Sequence, residues 1–395
     1  MAQAETFQDG PRRGGSLLYS TAFRGVAYQI LLAAGVILVG YFLYSNVNQN
    51  LERQSIATGF RFLTESAGFD IGESLIPYDS NDSYGKALVV GILNTLLVSV
   101  FGVVLATILG GFMGIARVSR NWLAAKLASM YVEVMRNIPV VLHVIFWAAV
   151  FRNLPGPKES IHPFEGLYFN NRGLIFAVPK ANPAYVWVGV AFLVGLVAAF
   201  LFVRWADRRR ERTGKFMPTF WPALAIMIGL PLVTWLVQGA PLVWDKPTFG
   251  AFNFSGGAVL TPEFIALLVG IVVYTGAFIA EIVRAGIQSV PRGQIEAARS
   301  LGLRSGFVMR YVTLPQALRV IVPPTTSQYL SLAKNSSLGV FIGYPELVNV
   351  ANTTLNQTGQ AVEAVGIMMT VYLLMSLTIS IIMNLYNRKT IIRER

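Results

Sequence analysis

The 395-residue sequence contains no cysteine and only two histidines, His143 and His162. The first absence removes disulfides, thiolate catalysis and cysteine metal centres. The second removes a histidine metal cluster within the chain. Charge is scarce as well: Asp, Glu, Lys and Arg make up 13% of the residues, about half the share of a soluble domain. No Gly-x-x-x-x-Gly-Lys-Ser/Thr phosphate loop occurs, so the chain is not expected to bind or hydrolyse ATP. Paired carboxylates and a nucleophile elbow are missing too. These gaps exclude an enzyme, a cofactor and a metal site, and they leave a membrane protein as the class to test.

What is present is apolar. Hydrophobic residues are 54% of the chain, and the net charge is +12. In a soluble protein that charge would suggest nucleic acid. Here no basic stripe stands clear of the apolar runs, so no nucleic-acid partner is expected. The first 24 residues are polar and include Arg12, Arg13 and Arg24. The apolar run behind them is too long for the core of a cleavable signal.

A helix needs about 20 mostly apolar residues to cross a bilayer. Eight segments qualify, roughly 25–45, 87–115, 138–152, 184–203, 218–237, 263–284, 320–342 and 364–386. The third is short and the seventh is polar. The loop after the first carries Glu52, Glu65, Asp70, Glu73, Asp79 and Asp82 and is net negative. Arg117, Arg120, Lys126 and Arg136 follow the second, and Arg204, Arg208, Arg209, Arg210, Arg212 and Lys215 follow the fourth. By the positive-inside rule these basic loops and both termini face the cytoplasm. The chain then divides into a cytoplasmic segment 1–24, a first helix and periplasmic loop 25–86, a permeating domain 87–386 and a cytoplasmic tail 387–395. Segments 184–237 read as an inserted, lipid-facing helix pair, with Trp187, Trp205, Trp221 and Trp235 near its ends as interfacial anchors.

Between the sixth and seventh spans lies a charged loop. Pro291-Arg292-Gly293 signals a turn, and Gln294–Leu301 reads as a short helix. Glu296 is expected in its first turn, at the positive dipole end. Ala297 and Ala298 favour helix and leave a low surface. Gly302 suits the left-handed residue that ends a helix. Ser305 is expected to cap a second short helix, which Leu314-Pro315 ends or kinks. From these features alone the loop is either an ordinary amphipathic connector or a small-residue face shaped for a groove in another protein.

The spacing Glu296-Ala297-Ala298, Gly302, Val312, Leu314-Pro315 resembles the coupling loop of permease subunits in bacterial ABC importers. Asn94-Thr95, Tyr131-Val132-Glu133, Arg136 and Pro139 are similar to the polar amino acid branch of that family. So is Tyr329 to Leu338, containing Lys334-Asn335-Ser336-Ser337, followed by Glu346-Leu347. The likeness covers roughly 85–390, and the extra helix pair is most similar to the Q-type permease of general L-amino acid importers. His143 stands where the branch commonly has glutamine, and Arg136-Asn137-Ile138-Pro139 replaces a more usual Arg-Gly-Thr-Pro. The resemblance implies an all-α, polytopic fold of about eight transmembrane helices with a type I ABC importer permease core. It implies a pore subunit for polar L-amino acids in the bacterial inner membrane. Its implied partners are ABC ATPase subunits, a second and related permease, a periplasmic amino-acid-binding protein and membrane lipid.

Ionisable groups inside spans are candidates for function. Lys334 is expected mid-span beside Asn335, Ser336 and Ser337, after a helix broken at Pro323-Pro324. It either meets a substrate carboxylate or snorkels to a neighbour. His143 is either part of the same path or a neutral, hydrogen-bonded core group. Glu281 and Arg284 share a helix face and are expected as a local ion pair rather than a substrate site. Glu133 and Arg136, also three apart, either support the joint between the loop and an ATPase or form a solvated pair. Gly110 and Gly114 form a face for close helix packing. Spans almost free of carboxylates argue against an ion-coupled transporter.

Overall fold

The computed structural model describes residues 21–53, 59–214, 217–250 and 253–390. Residues 1–20 of the expected N-terminal segment, Lys215, and residues 391–395 of the expected tail lie outside the described residues. Helix α1 (Thr21–Arg53) has none of its apolar window covered by the rest of the chain. Helix α2 (Tyr84–Arg117) starts where the Ser83 hydroxyl accepts the Lys86 N–H, satisfying one of the free donors of its first turn. Asn121 caps α3 (Trp122–Asn137) in the same way, accepting from Leu123 and Ala124. Pro139 disfavours helical backbone at Ile138, which is extended. The chain therefore bends by 105° before α4 (Val140–Arg152).

Helices α5 (Ala184–Thr213) and α6 (Phe220–Val237) pack chiefly on each other. Helix α7 (Pro262–Gln288) has Thr261 as its cap and Pro262 in its first turn, where the missing N–H costs nothing. The α8 (Arg292–Ser300) and α9 (Ser305–Val308) helices form an elbow. Then come α10 (Leu314–Asn335), α11 (Leu347–Thr358) and α12 (Ala361–Thr390).

Among the described residues six helices, α1, α2, α5, α6, α7 and α12, are long and apolar enough to cross a membrane, and the bent pair α3–α4 makes a seventh if taken as one span. The seventh expected span, 320–342, does not form as one apolar rod. Helix α10 is too polar to pass the same test, and at Ser336 it tightens into a 3₁₀ turn running to Ile342.

The loops contain strands that the hydropathy pattern did not signal. Strands β1 (Ile161–Phe164), β2 (Leu167–Asn170) and β3 (Gly173–Phe176) follow α4. Strand β4 (Val178–Pro179) pairs with β5 (Trp244–Asp245), and β6 (Thr248–Phe249) with β7 (Phe254–Ser255). Strand β8 (Ala258–Leu260) closes an antiparallel sheet of order β1-β2-β3-β8. Because β3 precedes α5 and β8 follows α6, the sheet clamps the base of the inserted pair.

The core is built on α2 against α7. A Cβ on Gly110 or Gly114 would sit 2.6 Å from the Cβ of Ile279 or Val283, so only glycine allows this approach. Val98, Ala106, Val144, Leu267, Ile271 and Leu332 fill the seam where α4 and α10 join them.

Candidate functional site

The α8–α9 elbow is built as a rigid projection. Helix α8 starts at Arg292, two residues earlier than expected, because Pro291 takes the cap position. Glu296 therefore lies beyond the first turn, and the dipole argument for it fails. Its end follows the expected chemistry. Gly302 has φ +76°, its N–H donates to the Arg299 carbonyl (2.9 Å), and the Leu303 N–H donates to the Ala298 carbonyl (3.3 Å). This is the paired bonding of a Schellman cap. Ser305 is not a cap: Arg304 holds that position, and no side chain bonds there.

Leu314-Pro315 does not end the second helix either. Residues Met309–Thr313 form a wide π-type turn, and α10 starts at Leu314 with Pro315 in its first turn. The wide turn absorbs the missing proline N–H, so the elbow runs into α10 with helical backbone throughout.

The elbow has two faces. Val290, Ala298 and Val308 are buried, and Ile295 packs on the main core. Glu296, Ala297, Arg299 and Ser300 are exposed. Leu301 is 82% exposed, and the exposed rings of Phe307 and Tyr311 stack on each other at 5.9 Å. Exposed apolar residues on an elbow that also carries exposed Arg292, Arg299, Arg304 and Arg310 make a contact surface of the kind that marks a protein interface.

Behind the elbow lies a charge cluster that sequence spacing showed only in part. Glu281 pairs with Arg284 one turn on, as expected. It also accepts from Arg117 at the end of α2, and Arg136 at the end of α3 approaches it at 3.7 Å. Arg136 does not pair with Glu133: its guanidinium lies over Phe278, 4.9 Å from the ring centre. Three arginines from three helices thus meet on one carboxylate, just before α7 turns into α8. The arginines close α2 and α3, which was the available signal, but no local rule pairs them with α7.

The residues expected along a substrate path are not brought together. Lys334 is exposed, but in the last turn of α10 and not mid-span. There its ammonium faces the negative end of the helix. The helix is continuous through Pro323 and Pro324. Exposed Pro323, Pro324, Ser327, Ser331 and Lys334 form one stripe along α10. Asn335 and Ser337 are half-buried, and the Ser337 hydroxyl donates to the Lys334 carbonyl (2.7 Å). Ser336 is fully buried and donates to Ala333. His143 is also buried, 3.1 Å from the Met135 carbonyl and against the Tyr274 ring.

Other motif residues turn out to be joints. The Asn94 amide donates to the carbonyls of Glu73 (2.8 Å) and Pro345 (2.9 Å), and the Thr95 hydroxyl accepts the Leu347 N–H (3.0 Å). Tyr131 bonds the Val273 carbonyl (2.7 Å), joining α3 to α7. Glu346 caps α11 by accepting from Val348 and Asn349. Burial pushes its carboxyl up to about 7, against the pull of those two N–H groups. A cavity of about 320 Å³ opens nearby, lined by Asp70, Glu73, Glu263, Pro345 and Asn349. Burial also raises the Glu73 carboxyl above its usual range, opposed by a hydrogen bond from Thr261. This cavity lies at the other end of α7 from the elbow.

Residues 191–391 match the family of binding-protein-dependent transport system inner membrane components. A general L-amino acid transport system permease protein, AapQ of Rhizobium johnstonii, is 49% identical over 96% of this chain and 95% of its own. The chain belongs to this family. The permease is also 48% identical to the putative amino-acid ABC transporter permease YhdX of Escherichia coli K12, over 96% of this chain and 98% of that one. It is 40% identical to BztB of Rhodobacter capsulatus, a glutamate/glutamine/aspartate/asparagine transport system permease, over 98% and 99%. Membership makes it the inner-membrane permease subunit of an ABC importer, with hydrolysis assigned to a separate ATPase.

The elbow's cap gives a first test in the permease. G302V forces a β-branched residue into left-handed backbone, which costs about 1–3 kcal/mol although the space around Gly302 is open. ATP-driven uptake is expected to fall by about five- to a hundredfold, with unchanged amounts of protein in the membrane. Uptake at the wild-type rate would show that the cap is not part of coupling.

Proposed function

We propose that this permease moves polar L-amino acids across the bacterial inner membrane and receives the force for it through the α8–α9 elbow. The observation that carries this reading is the elbow: a capped, core-anchored projection whose tip, Leu301, is left in solvent. An ATPase subunit seats an apolar groove over Leu301, Phe307 and Tyr311, with Glu296, Ala297 and Ala298 on the coupling helix and Gly302 and Leu314-Pro315 fixing its angle. Closure of the ATPase dimer pulls the elbow. Because the elbow continues into α10, the pull reaches the stripe that ends at Lys334. The amino acid class is supported by the relatives' substrates.

The α10 stripe is the proposed path. Pro323 and Pro324 remove the helical donors to the carbonyls of Arg319 and Val320. Bare carbonyls, serines and a lysine are costly against lipid. They suit a water-filled path at the joint with a second, related permease. A periplasmic binding protein delivers the substrate at the end near Lys334, whose ammonium receives the carboxylate. The basic loops support a cytoplasmic position for both termini. The division into 25–86, the permease domain 87–386 and the inserted pair 184–237 belongs to the same reading.

The test is uptake of labelled amino acids into proteoliposomes holding the permease, its sister subunit, the ATPase and the binding protein, with and without enclosed ATP. Uptake is expected to require ATP. K334M is expected to lower it about tenfold or more, the worth of one charged hydrogen bond, without loss of the ATPase from the complex. Uptake that ignores ATP and follows an ion gradient would overturn the reading.

A further inference from the structure

We propose that the end of α5 is a docking surface for the phosphate-bearing headgroups of anionic phospholipids. The inference rests on the membrane reading of α5 but not on the transported substrate. Helix α5 is 30 residues long, or about 45 Å at 1.5 Å per residue. That exceeds the hydrocarbon thickness of about 30 Å, so its last turns stand clear of the apolar layer as helix.

Those turns are sorted by face. At 3.6 residues per turn, Arg204, Trp205, Arg208, Arg209 and Arg212 fall within an arc of about 140°. All five are exposed. Asp207 and Glu211 lie beyond one edge of the arc, and buried Ala206 lies beyond the other. Among the described residues, no carboxylate forms an ion pair with Arg204, Arg208, Arg209 or Arg212. The Arg204 guanidinium lies 4.8 Å from the Phe200 ring centre, and that of Arg209 lies 5.3 Å from the Trp205 ring centre.

A tryptophan ring settles at the headgroup level. The Trp205 stack therefore holds the Arg209 guanidinium at that depth, where its N–H groups suit the bidentate recognition of phosphate. Basic residues in loops are common on orientation grounds alone. A helical arc with its acids turned aside and a cation fixed on an interfacial ring asks for more than orientation. The occupant is taken as lipid from the charge of the arc and from the interfacial depth that Trp205 sets.

The experiment uses the assembled importer, moved into nanodiscs of zwitterionic lipid with a minority of phosphatidylglycerol, and native mass spectrometry of retained lipid. The wild type is expected to hold phosphatidylglycerol in preference to phosphatidylcholine and to lose that preference in high salt. A quadruple variant, R204Q/R208Q/R209Q/R212Q, is expected to reduce retention at least about tenfold. The matching lysine variant keeps the charge but loses the fork and the stack, so its retention should fall between the wild type and the glutamine variant. Should the quadruple variant fail to insert, R208Q and R212Q decide singly, each expected to cost about fivefold.

Equal retention by variant and wild type, or no preference in the wild type, would overturn the proposal. Displacement of the lipid by millimolar inorganic phosphate would make this a soluble-anion site. Loss of the ATPase from the variant complex would reassign the arc to an acidic protein surface. ATP-driven uptake by the wild type, measured alongside, separates either failure from a failure of the importer reading.

Discussion

Leu301→Asp is expected to weaken the joint between permease and ATPase by ten- to a hundredfold while leaving the permease folded in the membrane. Leu301 is 82% exposed and belongs to no core cluster, so its loss costs the isolated chain little. In the assembled importer the proposed groove covers it. Full burial of a leucine is worth about 1.5–3 kcal/mol, which sets the expected range. Aspartate adds the cost of an unpaired charge in an apolar groove. The measurement is binding of the purified ATPase to the permease pair in nanodiscs. Leu301→Ala should fall between wild type and the aspartate variant. An unchanged affinity for Leu301→Asp would place the joint elsewhere on the cytoplasmic surface.

The second large effect is expected at Glu281. Glu281→Gln removes the only carboxylate that Arg117, Arg136 and Arg284 share among the ion pairs of the described residues. The Glu281 side chain is 25% exposed and that of Arg117 is 11% exposed. The loss should therefore lie between that of a surface pair and that of a buried one, at about 2 kcal/mol. Thermal unfolding in detergent should move down by several degrees. Most of the effect comes from guanidiniums left facing one another. A double variant, E281Q/R117Q, should accordingly recover part of the lost stability. A single variant as stable as the wild type would mean that solvent already neutralises the cluster. A double variant worse than the single one would mean that Arg117 acts through its bond to Ser129.

These expectations separate what the chain shows locally from what it shows only when packed. The apolar runs, the left-handed cap at Gly302, the Glu281–Arg284 pair and the close approach at Gly110 and Gly114 were all legible. Each rests on residues within one or two helical turns. Glu296 was placed one turn too early because Pro291 and Gln294 compete to begin the helix, and the proline won. Leu314-Pro315 read as a stop or a kink; it proved to be the start of α10, directly after a π-type turn. A proline is tolerated in a helix's first turn, and the π-type turn ahead of it was not predicted. The strands around 161–179 and 244–260 were missed because short pieces in polar loops carry little periodicity. Local hairpins join β1, β2 and β3 and pair β6 with β7, while β3–β8 and β4–β5 pair across the inserted helices.

Hydropathy, charge and helix-end chemistry are determined by neighbours in the sequence, and they decide this protein's class, most of its spans and the position of its α8–α9 elbow. Which helix meets which was decided in three dimensions. Arg117 reaches Glu281 across 164 positions, and Asn94 reaches Pro345 across 251. Nothing within a few residues of either end specifies the partner. The same holds for Lys334: its charge is written in the sequence, but only the packing of α10 against α2, α7 and α12 left it on an open face. A charge is fixed by its side chain, whereas its exposure depends on where every other helix comes to rest.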